Sequence, residues 1–520
     1  MIPLFSSQQV RDADNFAITQ LQMPSIILME NAARSIYDSI IETFGEDEIL
    51  DVAIVCGKGN NGGDGFALAR HFLINDCDVR LISLAKENEI KGDALINYKI
   101  TKNLLEEYPS SSLIFYNSID DLDNLYDCDL VVDAILGTGS RGNLNEQLKS
   151  IVDYMNKVPA YKVAIDIPTG LNLENSTGEI IFKADLTVTL AEYKTGLFYN
   201  QGYVHCGKVV KGSIGIGDSY FDQLDTNDFL IQLEDAFLGL PKKIINAHKY
   251  SSGKVLVIAG SGQYVEAACL TANSVLRIGA GSCFLAFPKS IKNVALEKLE
   301  SPVLLPYEDS GKEFISHKNI FELTEKIKWA DVVAIGPGLG RNEETIQFVH
   351  NFLSTSKNKK VVIDADALFA ISKNVYKNFD LNKKILTPHH KEFADLIDIS
   401  LDELENNLLQ YGRNFAKENS CYLVLKGAPT IIFNPNGESF INSVGNPGMA
   451  KFGTGDVLTG VIAGFLAQSK EIERTLISAV YLHSLTADLL ISKKTEYGII
   501  PQHLIEEFPN AIKYLRESFV

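Results

Sequence analysis

In the stretch Asn446–Gly464, NPGMAKFGTGDVLTGVIAG, three glycines (Gly448, Gly453 and Gly455) stand before an acid and a long apolar run. The run predicts a buried helix beginning near Asp456. Glycine lets the backbone turn with positive φ and lets a ligand come close. The first amides of a helix are unpaired donors with partial positive charge, so they attract anions. Asp456, at the mouth of that anion hole, would be a base beside a phosphate cradle, which is what transfer of phosphate to a hydroxyl needs. A lone G-x-G-D also describes an ordinary glycine-rich turn capped by an Asp, so the rest of the chain must decide.

Three more polar clusters lie in the first half: GKGNNGGDG (Gly57–Gly65), DAILGTGSRGN (Asp133–Asn143) and AIDIPTGLN (Ala164–Asn172). The glycine content of the first fits backbone approach to a phosphate or nucleotide. It has neither the G-x-G-x-x-G spacing nor the G-K-[ST] of a P-loop. Asn61, Asp133 and Thr169 supply oxygen ligands suited to a hard cation. In the second half the clusters are GSGQY (Gly260–Tyr264), GPGLGR (Gly336–Arg341), DADAL (Asp364–Leu368), TPHHKEF (Thr387–Phe393) and KGAPT (Lys426–Thr430). Taken singly, each of the three first-half clusters reads better as a turn and a helix cap.

The elements that must position these residues follow from periodicity. Ser7–Gln20 and Pro24–Phe44 read as helices. Short apolar runs then alternate with helical stretches: Val52–Cys56, Val79–Leu84, Leu113–Tyr116, Leu130–Ala134, Lys162–Ile165 and Leu186–Leu190. A last strand is expected within Gly207–Gly217. After a polar stretch, 218–228, the alternation restarts at Val255–Ala259, Cys283–Phe287, Val332–Ile335, Val361–Ile363, Lys384–Leu386 and Tyr422–Leu425. Thr430–Phe433 and Ser439–Ile441 predict a hairpin, and helices close the chain. Such alternation implies parallel strands with crossover helices. In open sheets of this kind ligands bind beyond the carboxyl ends of the strands, and every polar cluster falls at such an end. That shared edge favours shared sites over unrelated turns. The expected domains are 1–222 and 223–520.

At 520 residues the chain exceeds one core. Hydrophobic content of 46% with 22% charged residues is that of a globular protein, and a formal charge of −18 argues against nucleic acid as a partner. Seven scattered cysteines with no C-x-x-C pair point to a reducing cytoplasm. The histidines show no zinc spacing. Neither a signal peptide nor a membrane span is expected.

The first half, with GKGNNGGDGFALAR, DAILGTG and DIPTGL, resembles the NAD(P)H-hydrate epimerase domain. The second half, with GKVLVIAGS, GPGLGR, DADAL, TPH, KGAPT and NPGMAKFGTGDVLTG, resembles the ADP/ATP-dependent NAD(P)H-hydrate dehydratase. Together they resemble the bifunctional nicotinamide nucleotide repair enzymes. The resemblance implies a Rossmann-like, doubly wound αβα sandwich followed by a ribokinase-like α/β domain. It implies an epimerase that interconverts R and S hydrates of NADH or NADPH, and a dehydratase that removes water from the S form with ADP. It places epimerase substrate on Asn60, Asn61, Gly62, Gly63 and Asp64, on the loop Gly137, Thr138, Gly139, Ser140, Arg141, Gly142 and Asn143, and on Asp166. It places a potassium ion on Asn61, Asp133 and Thr169. Asp166 is the implied acid–base group, with Lys194 as an assistant. In the dehydratase it places the hydrate on Ala268, Gly338, His389 and Asp456. Nucleotide falls on Lys426, Gly427, Ala428, Pro429, Thr430 and Gly455, with magnesium on the ADP phosphates. Asp456 would take the hydroxyl proton while Gly453, Thr454 and Gly455 form the anion hole. A homo-oligomer is expected.

The chain departs from that pattern in places. The common NPGMATGGTGD reads NPGMAKFGTGD, so Lys451 either adds a phosphate contact or points to solvent. The usual HKG entry reads His248–Lys249–Tyr250, and TPH is followed by His390–Lys391. Among the candidates, His389 could be a hydrogen-bonded structural histidine. Asp364 and Asp366 could be caps, and Arg341 a helix-start residue. The runner-up function is a vitamin or sugar kinase fused to a nucleotide-binding module, because ribokinase-like kinases share the G-x-G-D loop. A non-enzymatic binding module is the alternative for the first half.

Overall fold

The structure, a computed structural model, describes residues 1–139, 142–299 and 301–519. The chain divides into two compact units, Pro3–Asp228 and Phe229–Val520, the second also taking Met1 and Ile2.

Strands are numbered along the chain. In the first part they are β1 (Ile2–Leu4), β2 (Asp51–Cys56), β3 (Asp78–Ser83), β4 (Ser112–Phe115), β5 (Leu130–Ala134), β6 (Tyr161–Ile165), β7 (Leu186–Leu190) and β8 (Lys208–Gly212). Seven of them form a parallel sheet in the order β4-β3-β2-β5-β6-β7-β8. The strand order reverses between β2 and β5, which opens a crevice at their carboxyl ends. Gly57 and Ile135 meet there: a Cβ at Gly57 would lie 2.1 Å from the Ile135 carbonyl oxygen, so only glycine fits. Core clusters cover both faces of the sheet. One gathers Ile54, Phe66, Phe72 and Leu81; the other gathers Val55, Val131, Ile151 and Phe182. Buried on both faces, the strands read as continuous apolar runs.

In the second part the strands are β9 (Asp228–Leu230), β10 (Lys254–Ile258), β11 (Ser282–Pro288), β12 (Val303–Tyr307), β13 (Val332–Ile335), β14 (Lys360–Ile363), β15 (Lys384–Leu386), β16 (Tyr422–Leu425), β17 (Thr430–Phe433) and β18 (Ser439–Asn442). With β1 they form one sheet, β1-β9-β18-β17-β16-β15-β14-β13-β10-β11-β12. Strands β10 to β16 pair in parallel; β16, β17 and β18 are antiparallel. The expected hairpin is present, and the Asn434 side chain accepts the amides of Asn436 and Glu438 in its turn. Here the order reverses between β10 and β13, where the Gly260 amide donates to the Pro337 carbonyl at 2.9 Å.

Thr454–Gln468 is a helix with apolar residues on all sides: Val457, Val461, Ile462, Phe465 and Leu466 are buried. Helices apolar all round belong inside a fold. Burying each such side chain contributes roughly 1.5–3 kcal/mol. The helix packs on Val265–Arg277 and on Ile472–Gly498. The latter is long and apolar enough to cross a membrane, yet 78% of its most apolar window is buried inside the protein, as in a core helix. Its backbone breaks at Thr495, with φ of 54°.

Candidate functional site

The first site is a cavity of about 740 Å³ at the β2/β5 crevice, lined by Asn60, Asn61, Asp64, Gly137, Thr138, Gly139 and Asp166. Asn60–Leu73 is a helix whose N-cap is Gly59, so its first amides open on the cavity. Gly62 and Gly63 are buried in its first turns. Gly142 lines a neighbouring cavity of about 380 Å³ with Thr138 and Thr169. Asn143 is exposed, and Ser140 and Arg141 lie outside the described residues.

Asp166 follows β6 with φ of 66°, a left-handed conformation that Asp tolerates better than most residues. The Lys194 ammonium, almost completely buried, lies 2.8 Å from Asp166 Oδ1 and also donates to Thr189 Oγ1 and to the Leu190 carbonyl. The amide of Leu190 reaches the same carboxylate oxygen at 3.2 Å, and that of Thr138 reaches Oδ2 at 3.4 Å. Asp64 is nearly enclosed; burial first, then Asp166 and Asp14, push its carboxyl well above the usual range.

Asn61, Asp133 and Thr169 are all buried. Thr169 Oγ1 donates to Asp133 Oδ1, and its amide to Oδ2, each at 2.7 Å. Burial raises Asp133 to about 6 although these hydrogen bonds pull it down. The Nδ2 of Asn61 is buried without a partner among the described residues.

Sequence reasoning missed Asp14. It stands on the helix Ser7–Thr19, flanking the buried stripe Val10, Ala13 and Ala17, and lines the same cavity. An acid at the edge of an apolar stripe was the available signal. Asp14 is exposed on its helix; partial desolvation where it lines the cavity, then the charge of Asp166, push its carboxyl up to about 6, with Lys194 opposing.

The second site gathers around Asp456, three residues into the Thr454–Gln468 helix. Its N-cap, Gly453, has φ of 94°. A Cβ at Gly455 would lie 3.4 Å from Lys426 Nζ. Lys426 follows β16 and pairs with Asp364 Oδ1 at 2.7 Å, while Thr459 Oγ1 donates to Asp364 Oδ2 at 2.7 Å. Glu392 lies 4.0 Å from the same ammonium. Burial and the carboxylate of Asp364 push Asp456 up to about 7, against the pull of Lys426. The arrangement is a base that titrates near neutrality at a helix start, close to a half-buried cation that is paired with Asp364.

The remaining candidates divide. Thr271 Oγ1 donates to the Asp456 carbonyl at 3.1 Å, tying the helix of buried Ala268 to the loop. Gly338, with φ of 62°, packs on Tyr264 and Ala267 beside Ala268. Gly427 is packed against the His390 ring, and Ala428 and Pro429 lead into Thr430 at the start of β17. His389 lies beside Lys426 through a parallel bridge. Its imidazole is half exposed and caps the next helix, Nδ1 accepting the Glu392 amide at 3.2 Å. The anion hole differs from the expected one: the Thr454 amide turns to the Lys451 carbonyl at 3.3 Å. Among the described residues the amides of Gly453, Gly455 and Asp456 remain as donors, ahead of the first helical bond, from Val457 N–H to the Gly453 carbonyl. The Lys451 ammonium donates to the carbonyls of Tyr497 and Ile499. Arg341 pairs with Asp366 at 2.9 Å, and Asp366 also accepts the Gly340 amide.

Residues 255–510 match the family described as NAD(P)H-hydrate dehydratase, and residues 25–196 match that described as YjeF-related protein N-terminus. The chain is 32% identical to the bifunctional NAD(P)H-hydrate repair enzyme Nnr of Dictyoglomus turgidum, over 98% of each chain. It is 32% identical to the enzyme of that name from Moorella thermoacetica, over 99% of this chain and 97% of the other. Among solved structures, a ribokinase-like superfamily protein of Enterococcus faecalis matches 56% of this chain and 98% of its own, with 28% identity and a TM-score of 0.50. The chain belongs to the bifunctional NAD(P)H-hydrate repair enzymes, an epimerase unit followed by a ribokinase-like dehydratase unit.

Proposed function

We propose that the second unit dehydrates the S hydrate of NADH or NADPH by phosphorylating its C6 hydroxyl with ADP. Hydroxide is a poor leaving group. Asp456 takes the hydroxyl proton as the terminal phosphoryl group of ADP is transferred, leaving AMP. The ring nitrogen then pushes its electron pair toward C6, phosphate departs, and loss of the C5 proton restores the double bond. Amides of Gly455 and Asp456, with Lys426, stabilise the charge on the transferring group. The observation that carries this reading is Asp456 itself, a carboxyl titrating at about 7 at a glycine-capped helix start, near the half-buried Lys426. Glu392, 4.0 Å from the Lys426 ammonium, is a hard oxygen donor that would suit a magnesium ion carried on the ADP phosphates, where it would neutralise phosphate charge.

In the first unit we infer that Asp166, held by Lys194, is the acid–base group for epimerisation at C6. Asp133 supports a potassium site. It is a fully buried carboxylate with only hydrogen bonds to offset its burial, and Thr169 donates to both of its oxygens. Asn61, Asp133 and Thr169 would hold the ion, which would supply the missing positive charge. A cytoplasmic location fits seven cysteines that are all buried and unpaired.

The test is recovery of NADH absorbance from mixed R and S hydrate with ADP or ATP, beside ATP with pyridoxal or hydroxyethylthiazole. Full recovery with ADP is expected. Phosphorylated vitamin without NADH recovery would replace this reading with the kinase.

A further inference from the structure

The first cavity holds an acid that the reaction above leaves unused. Asp14 lines the same wall space as Asp166, Asp64 and Asn61, but comes from a different element, the Ser7–Thr19 helix. Asp166 is fixed by Lys194 and by the amides of Leu190 and Thr138. Asp14 makes no hydrogen bond or ion pair among the described residues, so its carboxyl is free to meet a ligand in the cavity. The R and S hydrates present their hydroxyls on opposite faces of the ring. One acid on one face cannot both release the hydroxyl and direct water to the other face.

We propose that Asp14 is a second catalytic residue of the epimerase, the acid–base partner of Asp166; this rests on the epimerase reading given above. From R to S, protonated Asp14 gives its proton to the C6 hydroxyl as the C6–O bond breaks. The N1 lone pair forms the N1–C6 double bond, and the hydroxyl leaves as water. A water then bonds to C6 from the other face and gives a proton to the Asp166 carboxylate, and the N1–C6 electrons return to nitrogen. Each turnover moves one proton from Asp14 to Asp166, and exchange with solvent resets the pair. From S to R the two carboxyls exchange roles.

The surroundings suit such a pair. The charges facing Asp14 are Arg11 on its own helix, Asp64 on the Asn60–Leu73 helix, and Asp166 with Lys194 beyond β6 and β7. Lys58, Glu89 and Asp93 complete the charged lining. Partial desolvation at the cavity wall and the charge of Asp166 raise Asp14 to about 6 although the residue is exposed, so both of its protonation states are populated near neutrality. Asp64 also lines the cavity but is almost wholly buried, which pushes its carboxyl well above the usual range.

The experiment follows R-to-S interconversion by chromatography with the full-length chain across pH. Asp14→Asn is expected to lower kcat about 10²–10⁴-fold with KM within about threefold, and to remove the fall in rate above pH of about 6. Asp14→Glu is expected to keep that fall, with kcat about tenfold below the starting enzyme. Interconversion by Asp14→Asn within about threefold of the unaltered enzyme, or a persisting alkaline fall, overturns the proposal. Should Asp14→Asn not fold, Asp14→Glu decides, and an unchanged kcat overturns it. Failure of the unaltered enzyme to interconvert the epimers overturns the epimerase reading itself, which separates the two failures.

Discussion

Asp456 meets two demands that oppose each other. To accept a proton it must ionise near neutral pH, yet burial and the Asp364 charge favour its neutral form. Its pKa of about 7 means that dehydration, which needs the ionised form, falls as pH drops below about 7. The rate of NADH recovery from S hydrate, measured between pH 5.5 and 8.5 (roughly the span of one such titration), should trace that limb. Asp456→Asn should lower kcat about 10²–10⁴-fold and leave R-to-S interconversion unchanged. Stability runs the other way. A carboxyl whose pKa is raised on folding stabilises the fold below its unfolded value of 3.8 and loses that contribution as pH rises through about 7. Above pH 7 the ionised group is a net cost, so Asp456→Asn should raise Tm at pH 8 by roughly 2–4 °C, about 1 kcal/mol in a unit of this size. An unchanged or lower Tm would mean that Lys426 already compensates the charge.

Gly453 shows what an element adds to a residue. Its φ of 94° turns the chain into the helix that carries Asp456, and a Cβ there would sit 2.7 Å from Leu270 Cδ1 and 3.0 Å from Pro501 Cγ. Gly453→Ala should destabilise the second unit by about 1–3 kcal/mol and reduce dehydration far more than that loss of fold explains. Urea unfolding beside NADH recovery separates the two effects. The glycine loop was legible in the sequence because glycine and helix-start signals are local. So were the parallel strands, whose apolar runs mark burial on both faces. Strand β12 was not: Val303, Leu304 and Leu305 lie at the sheet edge, exposed or half buried, and Pro306 interrupts the run. The short β1 and β9 carry too few residues for a period. The Lys426–Asp364 pair spans 62 residues and Asp166–Lys194 joins two loops. Their partners come together only when the strands align, so spacing cannot reveal them. Asp14 is hidden for the same reason, 152 positions before the acid it faces (166 − 14).

At the scale of the whole molecule, the two units have separate cores. One gathers Val257, Val461 and Leu482; the others gather Ile54, Phe66 and Val131 with their neighbours, and among the described residues these clusters share none. Ligands that bind one folded unit should therefore stabilise that unit alone. ADP with magnesium at about 100 times its Kd should raise one calorimetric transition and leave the other in place, a stabilisation of about 2.7 kcal/mol. A common shift of both transitions would show that the units unfold together. Separate cores also have a metabolic consequence. Heat or a destabilising substitution that melts only the first unit leaves S hydrate consumed and R hydrate stranded, whereas loss of the second leaves both epimers to accumulate. The ratio of the two epimers in a stressed cell then becomes a chemical record of which half of the protein failed.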